Sequence, residues 1–278
     1  MDLSNALEVA TATDPGMVRS HNEDSIAADA ASGFVILADG MGGYNAGEVA
    51  SGIAAALLGT NLKQVLTSAE PGGIERQSGE PLAVKILREQ IAGANASIYQ
   101  AAISQPQYAG MGTTLVVGLF YDNRLSVAHI GDSRLYRLRQ DEFKQITRDH
   151  SLLQEQIDSG MISEQMAKLS HNKNLVTRAL GIDPEVEPEI HTHEVEAGDI
   201  YLLCSDGLSD MVEDGEISLT LSSLQANVQL ASQQLVQMAN DNGGRDNVSV
   251  ILVRVLRDFP ARTDWISRLL SWFRQTTV

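Results

Sequence analysis

The chain is poor in cysteine, proline, aromatic residues and positive charge. Cys204 is the only cysteine among 278 residues. One thiol excludes an internal disulfide framework and fits a reducing cytoplasm. Lys and Arg number 20 against 36 Asp and Glu, for a formal charge of −16. A surface that lacks cations is unsuited to nucleic acid, which selects for basic faces. No apolar run approaches the roughly 18 residues that a bilayer span requires, and the first twenty residues lack the basic-then-apolar order of a secretory leader. What remains is ordinary globular material, with 43% hydrophobic residues and length enough for a sizeable core. An acidic excess of this size is compatible with a protein that gathers carboxylates around divalent cations.

The order of patterns gives the fold class. Leu7 to Thr13 alternates as a strand and ends in the turn Asp14-Pro15-Gly16. Ile26 to Ala28 and Phe34 to Ala38 read as strands. Ala46 to Lys63 and Leu82 to Ile103 carry helical spacing on either side of a Gly/Pro-rich loop at 67–81. Strands follow at Thr113 to Tyr121, Leu125 to Ile130 and Leu135 to Arg139, with a turn at Asp122-Asn123. Residues 149–181 form a polar excursion with helical pieces at Leu152 to Asp158 and Ser163 to Leu169, the pattern of a small flap beside a core. Strands return at Val186 to Val195 and Asp199 to Cys204. Helices at Glu216 to Ser222 and Gln225 to Asn240 precede a closing strand, Val248 to Leu256. Hairpins with clustered helices make an α+β fold. Two antiparallel sheets packed face to face, with helices outside, is the expected arrangement.

Five aspartates stand where apolar strand meets Gly- or Asn-rich turn: Asp24, Asp39, Asp132, Asp206 and Asp246. Any one of them alone reads as a turn cap. Together, converging at one edge of a sandwich, they make the oxygen-rich environment that Mg²⁺ or Mn²⁺ prefers. Two such cations can share a water, lower its pKa and aim it at a phosphoryl group. Gly40, directly after Asp39, lets the backbone carbonyl approach a cation. Arg19 offers a bidentate fork for phosphate oxygens that a lysine could not match.

In order, Arg19-Ser-His-Asn-Glu-Asp24, Asp39-Gly-Met-Gly-Gly43, Gly112-Thr-Thr114, Gly131-Asp-Ser-Arg134, Asp149-His-Ser151, Ser205-Asp-Gly-Leu208 and Asp246-Asn-Val-Ser249 resemble the bacterial branch of the PPM (PP2C-type) metal-dependent serine/threonine protein phosphatases. The likeness covers about residues 8–256. It implies a four-layer α-β-β-α sandwich, a phosphatase domain over 1–257 with its flap at 149–181, and an extension over 258–278. It also implies hydrolysis of phosphoserine and phosphothreonine by direct attack of a metal-bridged water or hydroxide. Carried over by motif, Asp39 bridges two Mn²⁺ or Mg²⁺ ions and Gly40 offers its carbonyl. Asp206 and Asp246 complete the first metal, while Asp24 and Glu23 hold coordinated water or bind directly. Arg19 matches the phosphate-binding arginine, and Asp132 with Asp206 matches a third-metal site. The implied partners are phosphorylated proteins and a cognate Ser/Thr kinase. One departure stands out. Many bacterial relatives carry histidine after the Asp-Gly-Met-Gly-Gly run, where this chain has Tyr44. Tyrosine, with an ordinary pKa near 10, is a poorer proton shuttle at neutral pH.

Other features receive plainer readings. His21 and His150 lie within the motifs as supporting residues. His191 and His193 alternate on one exposed strand face, and Cys204 is a buried strand residue with no phosphatase-type arginine after it. Thr263 to Arg274 is apolar over much of a helical surface, with Trp265, Trp272 and Phe273. It reads as a helix docked on the domain, with membrane or partner contact as the alternative. The expected molecule is a cytoplasmic monomer. A non-catalytic phosphoprotein-binding regulator and a two-metal hydrolase of other phosphoesters are the competing functions.

Overall fold

The structure is a computed structural model and describes residues 2–43, 46–76, 78–163, 166 and 175–261. Tyr44, most of the expected Ser163 to Leu169 helix, and the Thr263 to Arg274 segment lie outside the described residues.

Two antiparallel sheets form the centre. The first has strand order β1-β11-β10-β7-β8: Leu7–Asp14 (β1), Val248–Val255 (β11), Ile200–Cys204 (β10), Arg134–Arg139 (β7) and Glu142–Gln145 (β8). The second has order β2-β3-β5-β6-β9: Asp24–Asp29 (β2), Phe34–Met41 (β3), Leu115–Tyr121 (β5), Arg124–Ile130 (β6) and Glu189–Glu194 (β9). The two-residue strand Gly112–Thr113 (β4) pairs with the end of β3. Long helices Ala46–Val65 (α1) and Leu82–Ser104 (α2) cover the second sheet. Short helices Leu152–Asp158 (α3) and Asp206–Ser209 (α4) sit near loops, and Asp214–Ser223 (α5) and Val228–Asp241 (α6) cover the first sheet.

Three apolar layers hold the four structural layers together. Between the sheets pack Leu37, Val116, Phe120, Leu135, Leu203 and Ile251 among others. Under α1 and α2 lie Ile36, Leu58, Leu62, Leu87, Ile91 and Val117, and under α5 and α6 lie Leu202, Ile217, Leu235, Val250 and Leu252. Residues 34–38 and 200–204 are therefore buried on both faces, which is why their sequences are continuous apolar runs rather than alternating ones. The β5–β6 hairpin turns at Asp122 and Asn123, both with positive φ (47° and 55°), as a two-residue turn that matches strand twist requires.

Several boundaries differ from the sequence reading, each for a local reason. β3 runs on through Asp39, paired with Asp24 of β2, to Gly40 and Met41, for which β4 supplies partners; Asp39 is inside a strand rather than past its end. The expected strand from Thr113 to Tyr121 breaks at Thr114, whose backbone N–H bonds Asp39 O instead of a ladder partner. Glu142–Gln145 forms a strand that its polar sequence conceals, and Asp206–Ser209 makes a helical turn where only a turn was expected. The two ends of the flap are pinned together, with Leu152 N donating to Leu175 O and Thr177 N to His150 O.

Candidate active site

The register of β2 on β3 sets Asp24 directly opposite Asp39, and paired residues share a sheet face. From the other sheet, Asp206 follows β10 and Asp246 precedes β11, neighbours along which Ser205 N donates to Ser249 O. Asp132 enters from the turn between β6 and β7. All five aspartates thus meet at one end of the sandwich, between the sheets. Asp24 and Asp132 are buried, and Asp39, Asp206 and Asp246 are half-buried along the opening.

Their crowding is visible electrostatically. Desolvation, then the charges of Asp24, Asp206, Asp132 and Asp246, push the Asp39 carboxyl well above its ordinary range. Asp206 is raised in the same way, by desolvation and then Asp132, Asp210, Asp246 and Asp24. Burial lifts Asp24 to about 6 against hydrogen bonds from Ser249 and Ser205, and burial also lifts Asp132 to about 6. Glu23 is raised more mildly, again chiefly by burial. Like charges held this close disfavour one another unless a cation sits among them. Asp24 Oδ1 is buried with no hydrogen-bond partner, and every donor converging here is oxygen. That is the chemistry of a hard divalent cation, so the residues fit Mg²⁺ or Mn²⁺.

The backbone around these carboxylates is fixed by hydroxyls. Asp39 N donates to Thr114 Oγ1 (3.1 Å), while Thr113 Oγ1 and Thr114 N both donate to Asp39 O (2.8 Å each). Ser205 Oγ donates to Asp24 Oδ2 (2.8 Å) and accepts from Ser249 N (3.0 Å). Arg134 grips Asp149 bidentately at 2.7 to 3.1 Å, tying the Asp132 turn to the start of the flap. Gly40 has a reason beyond carbonyl access. A Cβ there would stand 2.2 Å from Gly47 O and 2.6 Å from Glu23 O, so only glycine lets α1 approach the strand.

Arg19 lies on the loop between β1 and β2. Its Nη2 donates to Asp246 Oδ2 at 2.7 Å, which raises its already high pKa, and its side chain is 54% exposed. The guanidinium is thus tethered at the edge of the carboxylate cluster and open to solvent. Arg19→Lys, which keeps the charge but loses the planar fork, is expected to lower kcat/KM on p-nitrophenyl phosphate by about 10- to 100-fold. Steady-state kinetics at saturating Mn²⁺ measure this.

Sequence reasoning missed two residues. Asp210, one helical turn after Asp206, adds its charge to both Asp206 and Asp132. Asn247 is the more consequential. Its Nδ2 donates to Pro15 O (2.9 Å) and His21 O (2.8 Å), and its Oδ1 accepts from Glu23 N (2.8 Å). One buried amide therefore holds the entire loop that carries Arg19 and Glu23 against Asp246. The signal was the Asp-Asn pair ahead of a strand, read only for its aspartate. Asn247→Ala should cost about 1–3 kcal/mol in urea unfolding, because three hydrogen bonds that hold the loop are lost. It should also raise the Mn²⁺ concentration that gives half-maximal activity.

The histidines are structural in geometry. His129, His150 and Glu189 present donor atoms within 4.8 Å of one another. The two rings, however, stack at 4.7 Å with planes 21° apart, so their in-plane lone pairs do not converge. His150 Nδ1 accepts from Gly131 N, leaving the Nε2 proton facing Glu189, and His129 Nε2 donates to Arg148 O. Burial lowers both imidazole pKa values. His191 is exposed as expected, whereas His193 is half-buried.

Such a carboxylate cluster between two sheets, rimmed by Arg19, defines a candidate centre for hard divalent cations. A family profile described as Protein phosphatase 2C matches residues 18–249, and the chain belongs to that family. It is 43% identical over 251 residues to the serine/threonine protein phosphatase PstP of Mycobacterium tuberculosis, covering 90% of this chain. The chain spans about half the length of that relative, 45%. It is 37% identical to the serine/threonine phosphatase stp of Listeria innocua, over 87% of this chain and 93% of that protein. A solved catalytic domain of PstP in complex with 2 manganese ions superposes with a TM-score of 0.77 at 39% identity, covering 90% of this chain and 99% of that one.

Proposed function

We propose that this chain hydrolyses phosphoserine and phosphothreonine esters on proteins, with water as the direct acceptor of the phosphoryl group. The observation that carries the reading is the meeting of four aspartates around Asp39, with Arg19 held at their rim by Asp246. Asp39 would hold both cations of a two-metal centre, with Gly40 offering its carbonyl. Asp206 and Asp246 would complete the first, and Asp24 and Glu23 would hold coordinated water or bind directly. Asp132 with Asp206 would hold a third. When bound, the ions lower the pKa of a water and neutralise charge on the phosphoryl oxygens. The chain itself supplies position. Thr113, Thr114 and Ser205 fix the carboxylates, Asn247 fixes the loop, and the Arg19 fork orients the phosphoryl oxygens and balances their developing charge.

The unbroken aspartate set speaks against a non-catalytic binding module, which has no need of so many ligands. The acidic balance speaks against a nuclease. We further assign the catalytic domain to 1–257 with an extension over 258–278, acting in the cytoplasm as a monomer opposite a cognate Ser/Thr kinase. Among the described residues, no helix is long and apolar enough to cross a membrane. One metal-titrated assay decides the function: phosphopeptide, nucleotide and p-nitrophenyl phosphate compared at graded Mn²⁺. Phosphopeptide turnover dependent on Mn²⁺ is expected. Nucleotide preference, or binding without turnover, would overturn the proposal.

A further inference from the structure

Past the chain that returns from the flap, two strand pairings from Gly40, lies an apolar groove of about 400 Å³, lined chiefly by Tyr99, Ile103, Pro106, Ala109, Gly181 and Ile182. It lies between the C-terminal end of α2 and the chain returning from the flap. Its walls are fixed. Asn95, buried on α2, accepts from Gly181 N (2.7 Å) and donates to Asp183 O (3.0 Å). Gly181 has φ +84°, and a Cβ there would meet Ile98 Cγ2 at 2.3 Å, so the turn into the groove tolerates only glycine. Two of its residues are large and apolar yet open, Ile103 at 60% and Ile182 at 46% exposure. None of its lining residues is charged.

The groove is continuous with the catalytic strand. Gly40 pairs with Thr113, and Thr113 in turn exchanges both backbone hydrogen bonds with Leu180 (3.1 and 2.9 Å), the residue before Gly181. Met111, ahead of β4, passes close to Gly42, where an added Cβ would stand 3.4 Å from its Cα. Two strand spacings of about 4.8 Å each separate the Asp39–Gly40 strand from the flap-return chain. That distance equals about three residues of extended peptide at about 3.3 Å each. The phosphate itself gains nothing from long-range attraction to a chain of net charge −16. Short-range contacts next to the phosphoresidue can supply affinity, and this groove offers uncharged, apolar ones.

We propose that the groove is a substrate subsite that receives an apolar side chain (Leu, Ile, Met or Phe) about three residues from the phosphorylated Ser or Thr. The inference rests on the phosphatase reading above and deepens it to a substrate class. The chain's own 262–278 segment is a less suitable occupant. Phe259 N is bonded to Asn123 Oδ1, at the β5–β6 hairpin, so the chain leaves the sandwich at the end away from the aspartates.

The test uses phosphothreonine peptides that carry a single Leu or Ser at each position from four before to four after the phosphoresidue, with p-nitrophenyl phosphate as a control. Leu at the third position on one side should raise kcat/KM about tenfold, since one buried aliphatic side chain is worth about that factor. Ile103→Glu and Ile182→Glu should each abolish that preference and leave p-nitrophenyl phosphate turnover unchanged. No positional preference in the wild-type chain, or a preference that survives both substitutions, would overturn the proposal. So would a preference seen only after residues 262–278 are removed, because the tail would then be the occupant. If p-nitrophenyl phosphate is not hydrolysed at all, the phosphatase reading fails separately. Fluorescence anisotropy with the same peptides then judges the groove: a Leu-dependent gain lost in Ile103→Glu supports it, and no gain overturns it.

Discussion

Asp39→Asn is expected to lower Mn²⁺-dependent turnover of p-nitrophenyl phosphate by at least about 10³-fold while leaving the fold intact. The carboxyl stands opposite Asp24 across the β2–β3 pair and feels the charge of four other aspartates. Asparagine has nearly the same shape, and the backbone at this position is held by Thr113 and Thr114 rather than by the carboxyl. The substitution therefore removes charge without disturbing the strand. In the metal-free protein it should even stabilise, because a raised, repelled carboxyl is exchanged for a neutral amide. Kinetics and thermal melts of the same preparation separate the two effects. Retention of more than about a tenth of wild-type turnover would remove Asp39 from the centre of the mechanism.

The elements that the sequence disclosed were those dictated by burial alone. Runs such as Phe34 to Ala38 and Ile200 to Cys204 are apolar throughout because helices cover one face of each sheet and the opposite sheet covers the other. No pairing information is needed to recognise them. Glu142–Gln145 is an edge strand with half its residues exposed, so its sequence carries no such imprint. The extension of β3 past Asp39 depended on β4, two residues that become a strand only when placed beside it.

The same division runs through the site. The aspartates were legible because several carboxylates at strand ends have few structural uses. The groups that hold them were not. Asn247 looked like a turn residue, and its work is done on Pro15, His21 and Glu23, more than two hundred positions away in sequence. Ser205 stood only as the residue ahead of Asp206, yet its hydroxyl bonds Asp24 from the other sheet. Hydrogen-bond partners that exist only after two sheets close together leave no local pattern in either segment.

Closure of the sheets also has a thermodynamic consequence, best seen without metal. Lowering the pH of the metal-free protein from 7.5 to 5.5 is expected to increase the stability contributed by Asp24 and Asp132. A carboxyl whose folded pKa stands above its unfolded value favours the folded state in its protonated form. Its contribution is fully present below 3.8, the ordinary value, and is lost as pH rises through about 6. Each of the two then weakens the metal-free fold at neutral pH. His129, His150 and His193, whose pKa values burial lowers, act in the opposite sense over the same range. The clean readout is therefore the difference between wild type and Asp24→Asn. Without metal, the asparagine variant should melt higher at pH 7.5 and lose part of that advantage at 5.5. Divalent cations reverse the balance, because they bind the charged carboxylates and compete with protons. Mn²⁺ at about a hundred times its Kd should raise the wild-type Tm at pH 7.5 by about 5–10 °C. The gain should shrink toward pH 5.5 and be smaller for Asp24→Asn. An equal Mn²⁺ shift at both pH values would mean that the ion binds away from these aspartates.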